Sequence, residues 1–174
     1  MEGNSSNYLE SIIMAYIREA LEKDFDQIWE IFQKIVSAGE TFAINRYTSK
    51  KEAYQIWIEQ PQKTYVCENN KNILGTYYLR KNYGGGGCHV CNCGYMVDMK
   101  AEGKGLGSMM CEHSQKIAKE LGYKAMQFNL VLVSNKQAVS LWTKMGFDTV
   151  GKIPKAFDHP KIGYVDALVM HKWL

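Results

Sequence analysis

The stretch from Val97 to Gly122 constrains the fold most, because a strand end turns through three closely spaced glycines straight into a helix. It reads V-D-M-K-A-E-G-K-G-L-G-S-M-M and runs on to Gly122. Leu106, Met109, Met110, Ile117 and Leu121 keep the spacing of one helical face. Glu112, Gln115, Lys116, Lys119 and Glu120 fill the opposite face, and Gly122 is placed to end the helix. A glycine turn feeding a helix N-terminus presents unpaired N–H groups and the positive end of the helix dipole, with no Cβ atoms in the way. It suits a phosphate or a diphosphate. The spacing excludes two familiar phosphate loops. Lys104 lies between glycines instead of after them, so G-x-x-x-x-G-K-[ST] is absent, and the glycines fall as G-x-G-x-G, not G-x-G-x-x-G.

The pattern that does fit is [QR]-x-x-G-x-G, five residues after a strand valine, over Glu102 to Gly107. It resembles the acetyl-coenzyme A loop of the GNAT acyltransferase superfamily. Glu102 stands where that family usually has Gln or Arg, and Met99 where it often has Pro.

The rest of the chain supports one domain. Its 174 residues are enough for a single proper core, and a net charge of +3 with interspersed signs offers no basic run for nucleic acid. No apolar stretch approaches the ~20 residues of a membrane span, and Ser11–Ile17 lacks the basic flank of a signal peptide. Five cysteines without an evident pairing scheme suit a reducing cytoplasm. The segment Cys88-His89-x-Cys91-x-Cys93 has metal-like residues but no second ligand pair downstream. On a strand, Cys91 and Cys93 share one face and Asn92 takes the other, so the cysteines read as small buried hydrophobes and no metal is expected.

Residues 1–12 read as a loose tail, and 13–174 as the domain. Ala15–Ala20 reads as a strand. Asp24 with Gln27 reads as the capping box of a helix ending at Gly39, and Ser49 with Glu52 as the start of a second helix running to about Gln60. Strands Thr64–Glu68 and Ile73–Arg80 follow, with Asn69–Asn72 as their turn. Gly84–Gly87 is a loop with no helix after it. A strand from about His89 to Val97 leads to the glycine turn, Lys124–Val133 reads as a central strand, and Asn135 caps a helix closed by Gly146-Phe147. Strands at Thr149–Ile153 and Gly163–Trp173 finish the chain.

This β-α-α-β-β-β-α-β-α-β-β order is that of the GNAT fold. Asn135-x-x-Ala138-x-x-Leu141-Trp142-x-x-x-Gly146-Phe147 is similar to the family's N-x-x-A-x-x-[LF]-[YH]-x-x-x-G-F. The resemblance implies an α+β fold with a mixed, mostly antiparallel sheet, strands four and five splayed apart, and helices on both faces. It implies an N-acetyltransferase that uses acetyl-CoA. The implied coenzyme contacts are Val97, Asp98 and Met99 at the strand end, the backbone of Gly103, Lys104, Gly105, Leu106, Gly107 and Ser108, and Asn135. A backbone N–H near Tyr95–Val97 would meet the oxyanion. Many relatives use a tyrosine as thiolate acid where this chain has Trp142, so no tyrosine acid is expected from that helix.

Asn92 and Asn129 fall on the splaying strands. Each either bridges backbone groups left unpaired there or points into the acceptor pocket. Segments Glu40-Thr41-Phe42, His89-x-x-Asn92 and Phe128-Asn129-Leu130-Val131, with Pro154-x-Ala156-Phe157, resemble the GNAT branch of fungal acetyltransferases acting on azetidine-2-carboxylate and proline analogues, and their bacterial relatives. That branch implies a small amino-acid-like amine as acceptor, with Phe42 walling the pocket, Glu40 near an ammonium or backbone N–H groups, and His89 at its mouth. It leaves room for a homodimer. His113, on the apolar helix face, reads as a packed core-edge histidine. The rival readings are a protein or peptide acetyltransferase, which needs an open acidic groove, and a non-catalytic coenzyme- or metal-binding module.

Overall fold

The computed structural model describes residues 15–174; the expected 1–12 tail lies outside them. The chain runs β1 (Tyr16–Glu19), α1 (Phe25–Ala38), α2 (Lys50–Tyr54), β2 (Lys63–Asn69), β3 (Asn72–Lys81), β4 (Val90–Val97), α3 (Leu106–Glu120), β5 (Ala125–Leu132), α4 (Lys136–Lys144), β6 (Asp148–His159) and β7 (Gly163–Trp173). The strands form one sheet in the order β1-β2-β3-β4-β5-β7-β6. Every neighbouring pair is antiparallel except β4–β5.

Strand alternation divides the core between the two faces of this sheet. On one face Tyr77, Leu79, Cys91, Cys93 and Phe128 pack with Leu106 and Met110 of α3 and Trp142 of α4. On the other, Val66, Tyr78 and Met96 pack with Ile28 and Phe32 of α1 and with Trp57. Burial of side chains such as Ile28, Phe32 and Trp57, each at most 1% exposed, contributes about 1.5–3 kcal/mol apiece.

The α1 start differs from the capping box read in the sequence. Asp24 makes no cap bond to the helix. Its carboxylate accepts instead from Arg18 (2.6 and 2.9 Å) and from the Leu21 N–H (2.7 Å). Gln27 reaches the β2–β3 hairpin, accepting from Ile73 N–H at 2.9 Å and donating to the Lys71 carbonyl at 3.2 Å. A short-range pattern could not anticipate these partners, one on the preceding strand and the other some 45 residues along the chain. The Ser49–Glu52 box forms as expected. After Tyr54 its helix widens into a π turn, Gln55–Glu59, which carries Trp57 into the core. β6 extends well past the expected Ile153, because it is an edge strand, which tolerates Pro154.

β4 and β5 pair only at Val90–Ala125 and Cys91–Met126. Beyond that they part. On its other side β5 slips register against β7 between Phe128 and Val131, so that Asn129 and Leu130 form a bulge that turns the strand.

Candidate functional site

Asn92 stands where the two strands separate. Its side-chain amide donates to the Gln127 carbonyl at 2.9 Å, and its Oδ1 accepts from the Tyr78 hydroxyl at 3.3 Å. One residue past the last paired position, a side chain thus replaces the missing ladder bond. This is the bridging arrangement weighed from the sequence. Asn129 differs. It is exposed on the rim, its Nδ2 donating to Asn82 Oδ1 at 2.7 Å and its Oδ1 accepting from Gln127 Nε2 at 2.8 Å.

Past the Asn92 bridge the strands enclose a cleft of about 700 Å³. The ladder bonds from Asn82 N–H to Val90 (2.9 Å) and from Asp98 N–H to Leu74 (2.8 Å) set the phase of the β3–β4 pairing. Even-numbered residues of β4 therefore direct their backbone groups at β3, and Cys93, Tyr95 and Val97 turn theirs toward β5. Free main-chain donors and acceptors line one wall of the cleft. The Tyr95 side chain goes to the α3 face, where its hydroxyl is 2.7 Å from Ser114 Oγ and burial pushes the phenol above its ordinary range.

At the far end of β4, Asp98 accepts from the Lys100 N–H at 3.0 Å in a single 3-10 turn, and Met99 is exposed. Gly103 and Gly105 adopt left-handed φ of 73° and 81°, with open space where a Cβ would stand. Such a conformation favours glycine. Gly105 caps α3 with no side-chain bond, and the Met109 N–H donates to the Gly105 carbonyl at 3.1 Å to begin the helical ladder. The amides of Leu106, Gly107 and Ser108 at the helix start are therefore left pointing outward. A Cβ on Gly107 would sit 3.0 Å from Leu141 Cδ2, so glycine here lets α3 and α4 approach. Bare, uncapped amides at the positive end of a helix fit a diphosphate. Lys104 is half-buried beside them, and Leu106 anchors the turn in the core. Asn135 caps α4, its Oδ1 accepting from Ala138 N–H at 3.1 Å, and lines the cleft.

The acceptor side is built by the segment after α1 together with α2. Phe42 lines the cleft and packs 6.0 Å from Trp57. Trp142 closes the inner end against Tyr95 and Phe128, with ring centroids 5.0 and 4.9 Å away. Two expected site residues fall outside. His89 precedes β4 at the closed end of the splay, where its Nδ1 meets the Gly86 carbonyl at 3.1 Å and its ring lies beside Trp173. Glu40 forms an ion pair with Lys161 at 2.5 Å, and that bond holds its carboxyl below the ordinary carboxylate range. Neither lines the cleft.

Tyr78, Arg80 and Gly94, which the sequence reading did not single out, are among the residues of the cleft wall. Tyr78 and Arg80 share a face of β3 opposite Gly94 and Asn92. The Tyr78 ring lies across Gly94, and the Arg80 guanidinium stacks over that ring 5.1 Å from its centroid. Alternation along β3 was the available signal, but the facing residues depend on register.

Among the described residues no cluster of three or more His, Cys, Asp or Glu could hold a metal, and no helix is long and apolar enough to cross a membrane. All five cysteines are free, four of them buried. His113 is half-buried at the edge of the core, its Nδ1 2.7 Å from the Tyr77 hydroxyl, as the apolar helix face implies.

Comparisons with known proteins agree with this geometry. The model of the acetyltransferase (GNAT) family matches residues 18–147. A GCN5-related N-acetyltransferase structure from Kribbella flavida superposes with a TM-score of 0.89 at 36% identity, covering 93% of this chain and 99% of that one. A Salmonella typhimurium protein solved with acetyl-CoA as its cofactor shares the fold, with a TM-score of 0.80 at 20% identity over 92% and 94% of the two chains. The N-acetyltransferase aca1 of Schizosaccharomyces pombe is 34% identical over 101 residues, 56% of this chain and 47% of its own length, so the match spans about half of that curated relative. Family model, sheet order and parted central strands agree: the chain belongs to the acetyltransferase (GNAT) family.

Proposed function

We propose that this acetyltransferase moves the acetyl group of acetyl-CoA to the amine of a small, amino-acid-like acceptor in a ternary complex. The observation that carries the reading is the cleft entering between β4 and β5, with main-chain groups of Tyr95 and Val97 on one wall and the uncapped α3 turn at its outer end. The amides of Gly103 to Ser108 would hold the diphosphate, Val97 would pair with the pantetheine arm as an added strand, and Asn135 would reach the arm from its cap. Asp98 and Met99 would flank the arm through their backbone.

Acetyl-CoA supplies a thioester carbonyl to which the acceptor nitrogen bonds as the carbon–sulfur bond breaks. The Tyr95 amide, aimed into the gap, is set to stabilise the negative charge that develops on the carbonyl oxygen. A lysine-like amine with a pKa near ~10.4 costs about 4–5 kcal/mol to deprotonate at neutral pH. The apolar walls of Phe42, Ile44, Ile56, Phe128 and Trp142 lower that cost by disfavouring the ammonium. The Trp142 indole is no acid, and the nearby hydroxyls of Tyr78 and Tyr95 are engaged by Asn92 and Ser114. The ammonium proton is released to water before attack, and the second proton, lost by nitrogen as the amide forms, passes through water to the departing thiolate. Asn129, on the rim, would orient the acceptor.

A small acceptor is favoured over a protein because the cleft is walled by Phe42, Ile44, Ile56, Phe128 and Trp142 and carries one carboxylate among the described residues, Glu52, where a lysine-bearing protein would need an acidic groove. The branch of proline-analogue acetyltransferases fits the same wall of Phe42, Asn92 and Asn129. Four buried free thiols suit the reducing cytoplasm. A thiol-release screen of amino acids and cyclic analogues with acetyl-CoA tests the proposal. Turnover of at least one amino acid is expected. Turnover confined to peptide or protein amines would refute it.

A further inference from the structure

We propose that Arg80 holds the carboxylate of the acceptor and so sets the enzyme's preference for free amino acids over neutral amines; this rests on the small-acceptor reading above. The chain has three arginines, Arg18, Arg46 and Arg80. Arg18 is clasped by Asp24 and Glu68, and Arg46 donates to the Ser37 carbonyl. Arg80 lines the cleft half-buried, stacked on Tyr78, and no hydrogen bond or ion pair of its side chain to another described residue is found. Its five N–H donors meet no acceptor among the described residues, and a ligand carboxylate in the cleft would complete them as a charge-assisted pair.

Nothing in the cleft wall supplies the countercharge. Glu52 is the carboxylate among the lining residues, and it already accepts from the Ser49 N–H and hydroxyl at 2.7 Å each. Glu40 belongs to Lys161. The uncommitted charge on the acceptor side is therefore positive, which suits an anionic group on the substrate and opposes a lysine-rich protein tail.

The position also separates Arg80 from the coenzyme's phosphates. It faces Asn92, five residues before Val97, which places it about 17 Å along the strand from the outer end. The arm would approach from that outer end, so Arg80 lies ahead of the reacting carbonyl. Contact with the Tyr78 ring, 5.1 Å from its centroid, holds the guanidinium in the cleft, where its planar fork of donors suits a bidentate carboxylate.

The test compares each amino acid that the enzyme acetylates with its own methyl ester, in wild type, Arg80→Gln and Arg80→Lys. Wild type is expected to prefer the free acid. Arg80→Gln should raise the KM for the amino acid by about 10- to 100-fold, the worth of a charge-assisted pair. The KM values for the ester and for acetyl-CoA should stay near wild type, and Arg80→Lys should recover part of the preference. A merely structural arginine would weaken acid and ester alike. Retention of the free-acid preference in Arg80→Gln, or equal loss on both substrates, overturns the assignment and leaves the small-acceptor reading standing. A wild-type enzyme that acetylates only amines lacking a carboxylate overturns both.

Discussion

Gly94→Ala should be the most damaging single methyl in the cleft. A Cβ at Gly94 would lie 2.6, 2.9 and 3.0 Å from Cε1, Cζ and the hydroxyl of Tyr78. Backbone movement is restricted, because Gly94 and Tyr78 face each other in the β3–β4 ladder. The ring has little room to retreat. Trp57 sits edge-on with its centroid 4.9 Å away, Arg80 stacks over the ring, and the hydroxyl is bonded to Asn92. Overpacking of this kind costs ~1–3 kcal/mol, and displacing the hydroxyl from Asn92 adds ~1 kcal/mol. The expected loss is therefore about 3 kcal/mol, or roughly 9 °C in melting temperature for a chain of this size. Urea unfolding of Gly94→Ala, Tyr78→Ala and the double variant isolates the cause. In the Tyr78→Ala background the extra methyl should cost less than ~0.5 kcal/mol. A Gly94→Ala protein as stable as wild type, or one equally destabilised with and without the ring, would refute the reasoning.

Asn92→Ala leaves the half-buried Gln127 carbonyl without its donor and should cost about 1–2 kcal/mol in urea unfolding. Asn129→Ala, on the exposed rim, should leave stability nearly unchanged while kcat falls and the acetyl-CoA KM stays near wild type; equal loss of both would show a structural role. Gly105→Ala forces a side chain into a φ of +81°, costing ~1–2 kcal/mol, and titration calorimetry should show weaker coenzyme binding. The Asp24 carboxyl is held below its ordinary value of 3.8 by the Arg18 guanidinium. The unfolded chain therefore binds that proton more tightly, so the pair's stabilisation is full above about pH 4 and lost as pH falls through the lower folded value. Asp24→Asn should flatten the acid limb of a stability–pH curve, and an unchanged limb would show that other groups set it.

Local chemistry explains what the sequence reveals here. The glycine turn, the Ser49–Glu52 box, the Gly39 stop and the Asn135 cap each depend on residues a few positions apart, and each forms. The alternation that puts Cys91 and Cys93 in the core and Asn92 on the other face is equally local. Long-range partners were not legible. Gln27 chose the β2–β3 hairpin over its own helix, Glu40 chose Lys161 over a substrate, and His89 fell at the closed end of the splay because pairing starts at Val90. Arg80 and Tyr78 enter the cleft only through the β3–β4 register, and that register places Gly94 beneath the ring. The β5 bulge depends on β7, which lies about 40 residues further along the chain.

The most direct measurement is a crystal structure of the protein with acetyl-CoA. The diphosphate oxygens should lie about 2.7–3.2 Å from the amides between Gly103 and Ser108, with the arm paired to Val97 in the gap before β5. A coenzyme bound elsewhere, with those amides still facing solvent, would contradict the account.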